Sequence, residues 1–232
     1  NNMKISKSYL RRLILEGLRM NENLMLIEID SGGAVCFILA RNNYKLSTWN
    51  KDYFFKSMLG MCKMNDAMSP CNGARAISLG AAEEGYGPTL YDVIMEVTPY
   101  PLINDRMEVS DPMQVMMKFY LDNRTDVNKK LLDNMWDPGE YPRTPDTSDD
   151  CIPGDGQTYE FGINTKKPIM WEEDPLSYSY NKPLSPRVTQ MKTAGDDFLL
   201  NVNPNIKELL DVADDFFLIK SEEYEKRQKR MR

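Results

Sequence analysis

The clearest pattern along the chain is a helical one over residues 6–20. Leu10, Leu13, Ile14 and Leu18 fall on one stripe, Arg11, Arg12 and Glu16 lie off it, and Ser6 is a good N-cap. The pattern then changes to two short apolar runs, 24–29 and 34–39, joined by Asp30-Ser31-Gly32-Gly33. These predict a β-hairpin. Because both runs are largely apolar, the pair is expected inside a sheet rather than at its edge. Residues 43–70 are mixed, with Trp49, Tyr53, Phe54 and Phe55 marking something buried, and a third strand is predicted at 74–79.

Past that strand, Gly80 to Gly87 reads as a loop of small residues. Pro88 stands at the first helical position, where its fixed φ and missing N–H cost nothing. Leu90, Tyr91, Ile94 and Met95 make the buried face of this helix, which must stop before Pro99 and Pro101. Another helix starts with Ser110 as N-cap and Pro112 in its first turn, and carries Val115, Met116, Phe119 and Tyr120. A turn at Asn123-Arg124 leads to Leu131-Leu132.

The stretch from Pro138 to Pro186 holds eight of the fourteen prolines and predicts an irregular arm, interrupted by short strands, wrapped on the domain or on a partner. Its aromatics, Tyr159, Phe161, Trp171, Tyr178 and Tyr180, argue against a fully disordered linker. A last helix runs from about Pro204 through Ile206, Leu209, Leu210, Val212, Ala213, Phe216 and Phe217, with its charged end at 222–232 in solvent. The organisation is therefore an N-terminal amphipathic helix (1–20), a core (21–137), a Pro-rich extended arm (138–195) and a C-terminal helix region (196–232). No internal repeat is present.

Composition narrows the chemistry. The 232 residues include 29 Lys and Arg against 35 Asp and Glu, a net charge of -6, which works against duplex DNA as a partner. No apolar run approaches the roughly 20 residues that span a bilayer, and no signal-peptide pattern follows Met3, so a soluble protein without a membrane partner is expected. There is no histidine. This excludes Ser-His-Asp triads, Cys-His dyads and His-based metal sites, and leaves carboxylates, Tyr, Lys, Cys or water for acid–base work. The four cysteines, Cys36, Cys62, Cys71 and Cys151, form no C-x-x-C pair, so no metal site is expected and they read as reduced thiols of a cytoplasm. The 16 methionines read as adaptable core filler.

The candidate chemistry sits in Gly80-Ala81-Ala82-Glu83-Glu84-Gly85-Tyr86-Gly87-Pro88. Backbone N–H groups at a helix N-terminus, freed of side chains by glycine, can cradle a phosphate. The spacing is neither a Rossmann fingerprint nor a Walker loop. It resembles the acyl-CoA loop of the GNAT family of N-acetyltransferases, Q/R-x-x-G-x-G/A, which lies between a central strand and the helix receiving the CoA pyrophosphate. Gly85 and Gly87 match the glycines; Ala82 replaces the Gln or Arg, and Glu83 and Glu84 put negative charge where the pyrophosphate would sit. A plain turn, a degenerate loop and a working loop all remain open.

The wider sequence, Gly85-Tyr86-Gly87-Pro88-Thr89-Leu90-Tyr91-Asp92, then Asp105-Arg106, Val109-Ser110, Tyr120, Asn123-Arg124-Thr125-Asp126-Val127 and Leu132-Asp133, resembles a family of tailed-bacteriophage proteins described as GNAT-like. The resemblance covers about residues 74–190, including Thr144-Pro145 and Asp149-Asp150-Cys151. It implies an α+β fold with a mixed, mostly antiparallel sheet flanked by helices. It also implies other phage proteins as partners and a place in the virion or the infected host cytoplasm. Residues 3–16 resemble leaders of marine phage proteins, and Ile14-Leu15-Glu16 resembles a prohead-protease cleavage pattern. The GNAT comparison makes Tyr120 the general-acid candidate, Glu28 a candidate base, and Gly85, Tyr86, Gly87 and Pro88 the cofactor-binding candidates. Two functions follow: a virion or assembly protein needing no cofactor, or an N-acetyltransferase using acetyl-CoA.

Overall fold

The hairpin expected near the N-terminal end forms. In the computed structural model, which describes residues 23–43, 49–65, 74–104, 109–134, 150–151 and 175–230, strand β1 (Leu24–Asp30) pairs antiparallel with β2 (Ala34–Arg41), from Leu24 opposite Arg41 to Asp30 opposite Val35. Gly32 and Gly33 adopt φ of 76° and 146°, conformations that glycine enters without a Cβ penalty. The Asp30 carboxylate accepts from the Gly32 N–H at 2.9 Å, and the Ser31 N–H donates to the Ala34 carbonyl at 2.9 Å. The helix expected over 6–20 lies outside the described residues, as does most of the stretch from Pro138 to Pro186.

The mixed region resolves into helix α1 (Lys51–Ser57), whose N-cap Asn50 accepts from the Tyr53 N–H, followed without a break by strand β3 (Met58–Asn65). Strand β4 (Arg75–Ala82) outruns the predicted strand, so Gly80-Ala81-Ala82 belong to the sheet and not to the loop. The cause is local: the Glu83 N–H still donates to the Leu59 carbonyl of β3 at 2.8 Å. A Cβ on Gly60 would lie 3.3 Å from both the Ala81 carbonyl oxygen and the Ala82 Cβ, so the small residues let the two strands stay close.

Helix α2 (Gly87–Val97), strand β5 (Leu102–Ile103), helix α3 (Asp111–Asn123), strand β6 (Asn128–Leu131), the short parallel pair β7 (Asp133–Asn134) with β8 (Asp150–Cys151), a 3-10 turn (Pro175–Ser177), strand β9 (Tyr178–Asn181), helix α4 (Pro186–Val202) and helix α5 (Ile206–Arg230) complete the described elements. Seven strands form one mostly antiparallel sheet in the order β1-β2-β3-β4-β5-β9-β6, and the protein is of the mixed α+β class. Strand β4 pairs parallel with β5 over only two positions, Arg75 with Leu102 and Ala76 with Ile103. Strand β9 pairs antiparallel with both β5 and β6.

The chain divides into two compact units: 1–63 with 79–97 and 184–232, and 64–78 with 98–183. In the first, Phe54 stacks on Phe198 of α4 with ring centres 5.3 Å apart, Trp49 sits 5.3 Å from Phe54, and Leu209, Val212, Ala213 and Phe216 of α5 close the core. Methionines fill this core as expected: Met25, Met58 and Met61 are buried. In the second unit Ala74, Ala76, Ile103 and Leu132 form a small cluster, and the Tyr120 and Tyr180 rings lie 6.5 Å apart.

The placement of β1 corrects the sequence reading. Among the described residues it is the outermost strand of the sheet, not an interior one. It is apolar because α4 lies directly against its backbone: an added Cβ on Gly195 would fall 1.9 Å from the Leu26 carbonyl oxygen. Helix α4 is absent from the sequence reading, although Ser185-Pro186 is a good start signal. Ser185 accepts from the Val188 N–H, and its own N–H donates to the Glu96 carboxylate at 2.9 Å. Helices α4 and α5 are parted at Asn203, a left-handed C-cap at φ 46°, with Pro204 behind it.

Candidate functional site

The glycine loop connects the central strand of the sheet, β4, to α2. It is tight: Glu83 bends the chain, the Tyr86 N–H donates to the Glu83 carbonyl at 3.0 Å, and the Leu90 N–H donates to the Tyr86 carbonyl at 2.9 Å to start the helix. Gly85 sits at φ 95°, which explains glycine there. Gly87 needs no such freedom, and a Cβ on it would meet nothing within 4 Å. The Tyr86 ring is buried, with the Arg41 guanidinium 5.9 Å from its centre. Gly85, Tyr86, Gly87 and Pro88 thus share one turn and the first turn of α2.

Both loop carboxylates are engaged by α5. Lys220 Nζ lies 2.9 Å from Glu83 and 3.0 Å from Glu223, and Arg227 lies 3.4 Å from Glu84. Burial works against the Lys220 charge, but the Glu83 and Glu223 carboxylates outweigh it and hold its pKa above the ordinary lysine value. An anion at this turn would lack two N–H donors, those of Glu83 and Tyr86, already committed to carbonyls, and would face two carboxylates.

Tyr120, in the second unit, is fully buried on α3. Its ring lies 5.4 Å from the Arg124 guanidinium and 6.3 Å from Phe119, and its carbonyl accepts from the Arg124 N–H. Arg124 in turn holds Asp126 by two hydrogen bonds of 2.7 Å, and Lys182 approaches the same carboxylate at 3.3 Å. The Asn123-Arg124-Thr125-Asp126-Val127 motif is therefore a clamp that turns α3 into β6 over the Tyr120 ring. The Arg124 hydrogen bonds, aided by Lys182, hold the Asp126 pKa well below the ordinary carboxylate range.

A pH-dependent cost follows. Asp126 is about half exposed, so Asp126→Asn is expected to lower stability by only about 1 kcal/mol at neutral pH. Because the folded pKa is depressed, this contribution is present above the ordinary value of 3.8 and is lost as the pH falls below it. Urea denaturation of wild type and variant at pH 7, pH 4 and pH 3 should show the difference shrinking with acid.

The other candidates are paired or buried. Glu28 accepts from Lys192 of α4 at 2.8 Å, a bond that raises the lysine pKa, so the carboxylate is tied rather than poised as a base. Cys36 and Cys62 are free and buried, and burial pushes the Cys36 thiol up to about 12 and Cys62 higher still, so both are neutral and poor nucleophiles. No group of His, Cys, Asp or Glu among the described residues can hold a metal ion, and no described helix is long and apolar enough to cross a membrane.

Sequence reasoning missed one polar residue. Asn104, at the end of β5, is 2% exposed, and neither atom of its amide has a hydrogen-bond partner. An unsatisfied buried amide costs about 1–3 kcal/mol per group, which marks the position as one suited to a water or a ligand amide. Nothing in its neighbours Ile103 and Asp105 signals this.

These features define the protein as a mixed α+β domain with a glycine turn between its central strand and a helix. Compared with protein-family models, curated proteins and solved structures, the chain matches none.

Proposed function

We propose that this chain is a virion or assembly-associated protein of a tailed bacteriophage, built on a GNAT-like body that makes protein contacts and takes no cofactor. The resemblance of Gly85-Tyr86-Gly87-Pro88 and its following motifs supplies the phage and GNAT-like parts of the reading. A glycine turn between a central strand and a helix, in a mostly antiparallel sheet, agrees with it. The observation that carries the non-enzymatic part is the pairing of Glu83 and Glu84 with Lys220 and Arg227. The loop's charges are spent on a helix of the same chain. Tyr120, likewise, supports the arginine clamp.

A second reading, an acetyl-CoA-dependent N-acetyltransferase, is favoured by Gly85 and Gly87, which match the glycines of the acyl-CoA loop, and by the open space beside Gly87.

Calorimetric titration with acetyl-CoA separates the two. The assembly reading expects no binding heat up to about millimolar ligand, an affinity weaker than about 4 kcal/mol. A micromolar site abolished by Gly87→Trp, at a position with room for a side chain, would establish the transferase instead. Mass spectrometry of purified virions of the encoding phage tests the structural reading directly, and absence of the chain there would reject it.

A further inference from the structure

Helix α5 turns one side to the body and leaves the other open along its length. Leu209, Val212, Ala213 and Phe216 are buried in the core, Phe217 packs against it, and Lys220 and Arg227 meet the glycine turn. Helical spacing gathers a second set of residues on the opposite side, all of them exposed. Glu208, Asp211 and Asp215 occupy that side in the first half of the helix. Lys226, Lys229 and Arg230 occupy it in the last turns. Between them stand Leu218 and Ile219, 60% and 43% exposed.

The order of these groups makes the open side self-complementary. Leu218 is the central residue of the 25-residue helix, so acid lies to one side of the apolar pair and base to the other. Turned end for end, the same face puts acid on base and the apolar centre on itself, as a two-fold contact between identical subunits requires. With the axis between Leu218 and Ile219, Asp211 stands opposite the partner's Lys226, Glu208 opposite the partner's Lys229, and Leu218 opposite the partner's Ile219. Asp215 falls opposite a glutamate, Glu222, but each is held by a lysine of its own chain, Lys51 and Lys226, at 3.1 Å. Asp211 makes no ion pair of its own among the described residues. Flanking charges of this kind fix register and direction in paired helices, while the apolar centre supplies attraction.

We propose that the open side of α5 is the surface through which two copies of this chain pair, antiparallel, about a two-fold axis at Leu218 and Ile219. The helix needs no movement for this, because its contacts with the body are on the other side. One helix face is a small interface, so the dimer is weak and exchanges, with a Kd of about 30 μM. The inference goes beyond the assembly reading and stands whether or not the body binds acetyl-CoA.

Sedimentation equilibrium of the full chain, from about 1 μM to about 300 μM, tests it and is expected to show a reversible monomer–dimer equilibrium. Leu218→Ser with Ile219→Ser is expected to weaken pairing at least about tenfold while circular dichroism shows the same helix content, since both side chains are exposed. Asp211→Lys and Lys226→Glu probe the direction of the helices. Each variant alone sets like charge against like charge twice and is expected to weaken pairing about tenfold. Mixed in equal amounts, the two are expected to form a dimer as tight as that of wild type, because each altered residue then meets its opposite. A wild-type chain that stays monomeric at about 300 μM would overturn the proposal. So would a dimer that the double serine variant leaves intact, or a mixture that pairs no better than its two components.

Discussion

Gly195→Ala is expected to destabilise the protein by about 3 kcal/mol, although on an exposed helix the same change stabilises by about 1 kcal/mol through helix propensity. The sign is decided by what the methyl group meets. An ideal Cβ at 195 lies 1.9 Å from the Leu26 carbonyl oxygen, 2.6 Å from its carbon and 3.2 Å from the Ile27 nitrogen. All three are backbone atoms held in the β1–β2 ladder, so no rotamer change relieves the clash. A carbon–oxygen contact needs about 3.3 Å, so α4 must retreat by more than an ångström. Retreat strains the Phe198–Phe54 stack and the Lys192–Glu28 bond, both carried by α4. For a chain of this size the loss corresponds to a fall in Tm of about 6–12 °C. Thermal unfolding followed by circular dichroism measures it, with Asp197→Ala, on the exposed face of the same helix, as the control expected to shift little. A Gly195→Ala protein as stable as wild type would show that α4 does not sit against β1 in this way.

Phe54→Ala is expected to cost more, about 3–5 kcal/mol, the usual price of emptying a buried phenylalanine site. Phe54 is fully buried, with Trp49 and Phe198 each 5.3 Å away by ring centre. These neighbours come from the segment before α1 and from α4, so the ring joins pieces far apart in sequence. They are large and fixed by other contacts: Trp49 by its bond to Glu208, Phe198 by its place on α4. The cavity therefore collapses poorly. Phe54→Leu should recover more than half of the loss, because most of the volume returns. Leu200→Ala, at a position 79% exposed, should stay within about 0.5 kcal/mol of wild type. Urea denaturation ranks the three, and equal costs for Phe54→Ala and Leu200→Ala would remove Phe54 from the core.

The contrast between these positions shows what was legible in the sequence. The β1–β2 hairpin, β4, α2, α3 and α5 carry their signals locally, in Asp30-Ser31-Gly32-Gly33, in Pro88, in Ser110-Pro112 and in the spacing of Leu209, Val212 and Phe216. Strand β3 does not. Its Met58, Gly60, Met61 and Met64 have little strand preference, and they form a strand because it lies between β2 and β4, with Met58 and Met61 packed into the core beside Phe54 and Phe216. Helix α4 was hidden by Gly195 and by its polar exposed face, since its apolar positions are spread thinly among Thr, Asp and Lys. The candidate turn was visible, with its glycines and its two glutamates. What those glutamates do was not, because Lys220 and Arg227 are far along the chain and nothing local links them. Asn104 was equally silent, since an unsatisfied amide is a property of surroundings and not of sequence.

Among the described residues, the two ends of the strand order are finished differently. Strand β6 is four residues long and carries Lys129 and Lys130, which discourage another chain from pairing there. Strand β1 has no such protection of its own: Leu24, Met25, Leu26, Ile27 and Ile29 make an uncharged, β-competent stretch broken only by Glu28. Its safeguard is α4 pressed against the Leu26 peptide. Gly195 is thus expected to govern solubility as well as packing. A lesion that loosens the helix would turn β1 into a template for intermolecular strand addition, and its first visible sign at high protein concentration would be fibrous or amorphous aggregate rather than lost helix.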